Sequence, residues 1–188
     1  QDQGELQLTS YGVSGIVSFQ TSLLASKYLH EKKEVELVID FVPFITKEQW
    51  MDLVKKQFKD KNYLNHKAKL SGFISDKLAN AFLLDQGIVP ESKKDLSMEQ
   101  VEELALRIKE FRVFITDTKG FDECQVCLGG VSLEEVDVQS MMSKICPGLF
   151  FAGEVLDVAG QCGGYNLQWA WSSGFVAGTY AGKIQTNN

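Results

Sequence analysis

No G-x-G-x-x-G occurs anywhere in these 188 residues, so the glycine turn that ordinarily holds a dinucleotide's pyrophosphate against a helix N-terminus is missing. Basic clusters are missing too. Nineteen Lys and Arg lie scattered among twenty-five Asp and Glu, a formal charge of -6 that argues against a nucleic-acid surface and against an anionic membrane as partner. Only two histidines, His30 and His66, are present, which leaves little room for an acid-base triad. The nearest approach to a nucleophile elbow, Gly12-Val-Ser14-Gly15, departs from G-x-S-x-G spacing, and Ser14 reads as a turn or N-cap residue. No apolar run is long enough for lipid: the window 167–184 is interrupted by Gln168, Ser172, Ser173, Thr179 and Lys183. Cysteine is sparse, with Cys124, Cys127, Cys146 and Cys162 all in the last third. With no secretory leader in front of them, the expectation is a reduced, cytoplasmic setting.

What remains, 44% hydrophobic and 23% charged, is the composition of a soluble globular protein with enough chain for one good core or two small ones. Leu6 and Leu8 alternate with polar residues over 4–9, as in a half-buried strand. A turn-like QDQG precedes it, so the strand reads as the second arm of a hairpin whose first arm is absent, and the chain is expected to start mid-domain. A helix follows over 16–30, striped by Leu23, Leu24 and Leu29, then a strand over 35–42 stopped by Pro43. Thr46 to Gln49 and Ser97 to Gln100 fit capping boxes, each opening an amphipathic helix, the first carrying Trp50 on its core face. Between them the pattern predicts one helix over 67–86, closed by Gly87. Phe111, Val113 and Ile115 return to strand spacing, a turn falls at Lys119-Gly120, and a second strand is expected over 123–128.

The most informative segment is 147–178, PGLFFAGEVLDVAGQCGGYNLQWAWSSGFVAG. A short apolar strand over 149–152 ends at Gly153 and Glu154, and Gly160, Gly163 and Gly164 then open a helix with Asn166 in its first turn. Such an arrangement suits a flavin, since glycine lets backbone amides approach a ligand and a helix N-terminus favours electron-rich oxygens. Glu154 could bond ribityl hydroxyls, and Asn166 with the amides near Gly164 could face the pyrimidine end. Asp157 reads equally as an ordinary loop acid. Ala170, Gly174, Gly178 and Gly182 recur every fourth residue, which suggests close packing of that helix on a sheet.

Cys124-Gln-Val-Cys127 invites a zinc or thiol-redox reading. On a strand, however, residues three apart point to opposite faces, and no second pair sits at ligand spacing. Two buried or half-buried structural cysteines are therefore expected.

The residues also resemble a known family. GELQLTSYGVSG (4–15), LGGVSLEEVD (128–137) and the long MMSKICPGLFFAGEVLDVAGQCGGYNLQWAWSSG (141–174) are similar to the BaiN/RdsA-like bacterial NAD(P)/FAD-dependent oxidoreductases, flavoproteins with a domain inserted in the FAD-binding fold. The resemblance covers essentially the whole chain but only the C-terminal half of such a protein. It departs from the family at Ala159, Ser10 and Ile16. It implies an α/β fold with an α+β insert: a partial FAD-binding Rossmann-like fold plus an inserted β-barrel and helical domain, with the N-terminal dinucleotide-binding half absent. The insert would occupy 1–112, incomplete at its start and with its helical part at 46–110, and the flavin domain 113–188.

Gly153, Glu154, Gly163, Gly164, Tyr165 and Asn166 match the family's FAD motif, with Gly130, Asp157 and Leu167 as further candidate cofactor contacts. NAD(P)H is implied as electron donor, a small organic molecule as substrate, and the missing N-terminal FAD-binding region as partner. No catalytic acid or base is identified, and no metal is expected. A fragment of this kind is expected to be inactive alone. The competing readings are a non-enzymatic binding module that keeps the fold and, more remotely, a metal or thiol-redox protein.

Overall fold

The computed structural model describes residues 1–60 and 64–185, with side chains through residue 183, as a mixed α/β chain. In order it forms β1 (Gln7–Thr9), β2 (Gly12–Ser14), α1 (Ile16–His30), β3 (Val35–Ile39), α2 (Lys47–Lys59), α3 (His66–Leu70), α4 (Asp76–Asp85), α5 (Met98–Lys109), β4 (Phe111–Ile115), β5 (Val136–Asp137), β6 (Met142–Ser143) and α6 (Tyr165–Gln185). Short 3₁₀ turns lie at Leu133–Glu135 and Gly153–Val155. Among the described residues the strands make three two-stranded sheets, β1 with β2, β3 with β4 and β5 with β6. Packing divides the chain into two compact units, one of Gln1–Val35 with Thr116–Asn188 and one of Glu36–Ile115.

The helical unit is built on its caps. Thr46 and Ser97 each close a full capping box, with Gln49 and Gln100 returning the bond, so α2 and α5 start where the sequence places them. Their apolar faces meet over a core of Val42, Trp50, Val54, Leu70, Leu83, Leu104 and Ile108, all at most 1% exposed. The indole Nε1–H of Trp50 donates to the carbonyl of Ala105 at 2.9 Å, so the largest core side chain buries no unpaired donor. The single helix expected over 67–86 is two. The side chain of Ser75 accepts from the amide of Leu78 and starts α4 anew, and five residues, 71–75, turn the chain after α3. Gly87, at φ +68°, ends α4.

The other unit is more open. At the start, β1 pairs antiparallel with β2, the segment after it, Gln7 opposite Ser14 and Leu8 opposite Val13. Leu8 is 53% exposed, against the expected half-buried strand. Helix α1 has the predicted span but buries no residue fully. The strand expected over 123–128 does not form: the segment is turns and bends, with Lys119 and Glu123 paired across its start. The strand expected over 149–152 is reduced to one antiparallel bridge, Met142 to Phe150. Val136, Met141, Leu156 and Ala177 form a small core, with Phe150, Phe151 and Trp169 packed against it.

Candidate functional site

The site assembles where two loops cross in front of α6. The amide of Val131 donates to the carbonyl of Val155 at 2.8 Å, and the amide of Asp157 returns to the carbonyl of Val131 at 3.0 Å, a parallel bridge between Val131 and Leu156. Gly130 lies at the crossing. A Cβ there would stand 2.5 Å from the carbonyl oxygen of Val155, and φ is +146°, so both space and backbone demand glycine. The two loop acids complete the clasp. Glu154 Oε1 accepts from the backbone amide of Cys127 at 2.7 Å, and Asp157 Oδ1 accepts from that of Gly129 at 3.2 Å.

The next residues are fixed from the helix side. Gly153, at φ +72°, donates its amide to Ser173 Oγ at 2.9 Å, and its carbonyl accepts from Trp169 Nε1 at 3.2 Å. Ser173, 2% exposed, passes its own hydroxyl hydrogen to the carbonyl of Trp169 at 2.6 Å. Asn166 uses both amide atoms on one loop residue: its Oδ1 accepts from the amide of Gly160 at 2.8 Å and its Nδ2 donates to the carbonyl of Gly160 at 3.0 Å. The side chain that sequence reasoning aimed at a ligand therefore shapes the loop, while its backbone amide stands in the first turn of α6.

Gly163 and Gly164, at φ +131° and +92°, deliver the chain into that turn. The first helical bond of α6 runs from Gln168 to the carbonyl of Gly164 at 3.0 Å, which leaves the amides of Tyr165, Asn166 and Leu167 without an intrahelical acceptor by geometry. Among the described residues nothing lies within 4 Å of where a Cβ at Gly164 would be, and Tyr165 and Leu167 are each 63% exposed. Open space, aligned amides and the positive end of a 21-residue helix coincide there.

Two expectations fail. The glycine stripe does not pack on a sheet: a Cβ at Gly174, Gly178 or Gly182 would meet no heavy atom within 4 Å among the described residues, and only Ala170 approaches Gly153. Trp171 and Phe175 beside the stripe are 71% and 77% exposed. The cysteine argument from strand parity also falls, because no strand forms. Cys124 and Cys127 sit with their Sγ atoms 3.4 Å apart, Cys124 exposed and Cys127 half-buried. The hydrogen shared with Cys124 raises the Cys127 thiol above its ordinary range, with burial and the Cys124 and Glu154 charges adding to it.

Sequence reasoning missed Trp169 and Ser173 as the holders of Gly153. The available signal was their spacing of four on α6, which places a donor and an acceptor on one face. Elsewhere, a surface hollow of about 270 Å³ in the helical unit is lined by Asp85, Gln86, Glu103 and Arg107, and the glycine loop contributes nothing to it. Among the described residues no three of His, Cys, Asp and Glu gather as a metal site would require, and no helix is long and apolar enough to cross a membrane.

The chain is thus mixed α/β, with a glycine-rich loop that opens a long helix. Residues 16–180 match the HI0933-like protein Rossmann domain, and the chain belongs to that family, the BaiN/RdsA family. It is 38% identical over 185 residues to the 3-dehydro-bile acid delta(4,6)-reductase of Clostridium scindens, covering 97% of this chain and 45% of that protein. It is 34% identical over 173 residues to the ribosomal RNA dihydrouridine synthase of Haemophilus influenzae (92% of this chain, 41% of that protein) and 41% identical over 91 residues to the Escherichia coli enzyme of the same name (48% and 23%). The chain spans less than half the length of these curated relatives.

Proposed function

We propose that this chain is the C-terminal part of an FAD-dependent oxidoreductase that passes hydride from NAD(P)H to an unsaturated small organic molecule. The observation that carries the reading is the exposed N-terminus of α6 beside Gly163 and Gly164, in a family whose relatives include a reductase. FAD, when bound, accepts hydride from a nicotinamide and passes it to an acceptor.

The residues fit one end of that cofactor and not the other. Amides of Tyr165 and Asn166 suit a carbonyl that gains negative charge on reduction, and the dipole of α6 adds to the effect. Glu154 presents its second carboxylate oxygen to hydroxyls while its first holds Cys127. Asn166, through Gly160, and Ser173 with Trp169, through Gly153, hold the loop in place, which is a positioning role. No glycine turn in the chain suits the pyrophosphate. That half is assigned to an N-terminal FAD-binding region, for which the exposed face of Trp171, Gly174, Phe175 and Gly178 on α6 is a suitable seat. On this reading 113–188 is flavin domain and 1–112 inserted domain with a barrel completed by other chain, and the 188 residues alone neither hold FAD firmly nor turn over in the cytoplasm.

A small-molecule acceptor is favoured over RNA by the charge of -6, which offers no basic surface to a polyanion. The test is spectroscopic. Full-length protein reconstituted with FAD should show the visible flavin bands, and NADH or NADPH should bleach them under anaerobic conditions. A colourless protein after reconstitution refutes the cofactor assignment, and turnover on ribosomal RNA but on no unsaturated small molecule refutes the acceptor.

A further inference from the structure

We propose that Cys124 and Cys127 form a redox-active dithiol, a site of thiol–disulfide exchange with small-molecule disulfides, held ready by the clasp between the 121–130 loop and Glu154.

Three contacts set the pair. Cys124 Sγ donates to the carbonyl of Phe121 at 3.2 Å, which turns it back over its own loop. The Sγ atoms then stand 3.4 Å apart, in contact, so the two sulfurs already face one another across a short gap. The amide of Cys127 is fixed by Glu154 Oε1 at 2.7 Å, and that of Gly129 by Asp157 Oδ1 at 3.2 Å, which keeps the second sulfur beneath the first. Zinc chelation does not account for the arrangement, because no third His, Cys, Asp or Glu joins the two sulfurs among the described residues.

Exposure divides the labour. Cys124 is open to solvent and Cys127 half-buried, so an incoming disulfide meets Cys124 first. The Cys124 thiolate attacks one sulfur of the small disulfide, a mixed disulfide forms on Cys124, and one thiolate leaves. The Cys127 thiolate then attacks Cys124 Sγ, the intramolecular bond forms, and the second thiolate leaves. The two cysteine thiols give up two electrons and two protons, and the small disulfide is reduced to two thiols. The proposal does not rest on the flavin reading, since its chemistry and its readout need no cofactor.

The experiment equilibrates the full chain, reduced and then freed of reductant, with mixtures of reduced and oxidised glutathione, followed by acid quench, maleimide trapping and peptide mass mapping. Cys146 and Cys162, both exposed, serve as internal standards. Neighbouring thiols act at a high effective concentration, so the Cys124–Cys127 disulfide should reach half-formation at an oxidised-glutathione level about tenfold or more below that which modifies the standards. Cys127→Ser should instead accumulate glutathione on Cys124, which wild type does not. The proposal is overturned if the pair resists oxidation under mixtures that modify Cys146 and Cys162, or if wild type accumulates the Cys124 adduct as Cys127→Ser does.

Discussion

Replacing Gly130 by alanine is the sharpest test of how the two loops cross. The new Cβ would stand 2.5 Å from the carbonyl oxygen of Val155 and 3.0 Å from both the amide nitrogen of Asp157 and the carbonyl carbon of Leu156. All three are backbone atoms, so no side chain can swing aside. At φ +146° alanine also carries strain of about 1–3 kcal/mol. Forcing the clash apart adds about 1–3 kcal/mol, and the entropy that alanine removes from the unfolded chain returns only about 0.4–1 kcal/mol. The net loss is on the order of 3 kcal/mol.

Gly164→Ala is the control. Its φ of +92° carries the same kind of strain, but nothing lies within 4 Å, so it should lose only about 1–2 kcal/mol. Urea unfolding followed by tryptophan fluorescence reads the total. Hydrogen exchange at the amides of Val131 and Asp157, which carry the bridge, reads the local effect and should speed up on the order of 100-fold in Gly130→Ala, against little change in Gly164→Ala. Equal losses in the two variants, with the bridge amides still protected, would refute the crossing.

Other perturbations follow from single contacts. Ser173→Ala leaves the half-buried amide of Gly153 without its acceptor and should cost about 1 kcal/mol in thermal unfolding. Thr46→Ala and Ser97→Ala should each cost about 1 kcal/mol by urea unfolding of the helical unit, through the loss of a capping box at α2 or α5. The hydroxyl of Ser140 and the amide of Gln139 hold the Asp137 carboxyl below its ordinary range. Its contribution to stability is therefore full above the ordinary carboxylate value and fades as pH falls through the depressed folded value. Carbon-detected titration should show Ser140→Ala moving that midpoint upward, and an unmoved midpoint would rule out the hydroxyl as its cause.

Legibility in the sequence followed the range of the forces involved. Capping boxes act over three residues and a hydrophobic stripe over four or five, and both α2 and α5 begin where Thr46 and Ser97 predicted. Apolar spacing alone could not see that Ser75 restarts a helix, because the stripe continues in phase through 71–75. Strands depend on partners. Residues 123–128 and 149–152 have strand-like composition, yet among the described residues only Phe150 finds a bridge partner, so only that residue is drawn into pairing. The glycines have local roles that the sequence did not separate: backbone crosses at Gly130, Gly153, Gly163 and Gly164 hold positive φ, and among the described residues no heavy atom packs where a Cβ at Gly174, Gly178 or Gly182 would stand.

The loop acids tie these observations together. Glu154 and Asp157 were candidates for ligand contact, and each places an oxygen on a backbone amide, that of Cys127 or Gly129, four or two residues ahead of Val131. A carboxylate bonded to an amide at one oxygen is oriented at the other, so the clasp that fixes the loop also aims what is left of Glu154. Asp157 does the same for Gly129, directly beside the glycine that the crossing requires. The amide that orients Glu154 belongs to Cys127, whose Sγ stands 3.4 Å from that of Cys124. A change in the 124–127 turn that displaces the amide of Cys127 removes the bond that orients Glu154, so that amide links the turn to the acidic loop.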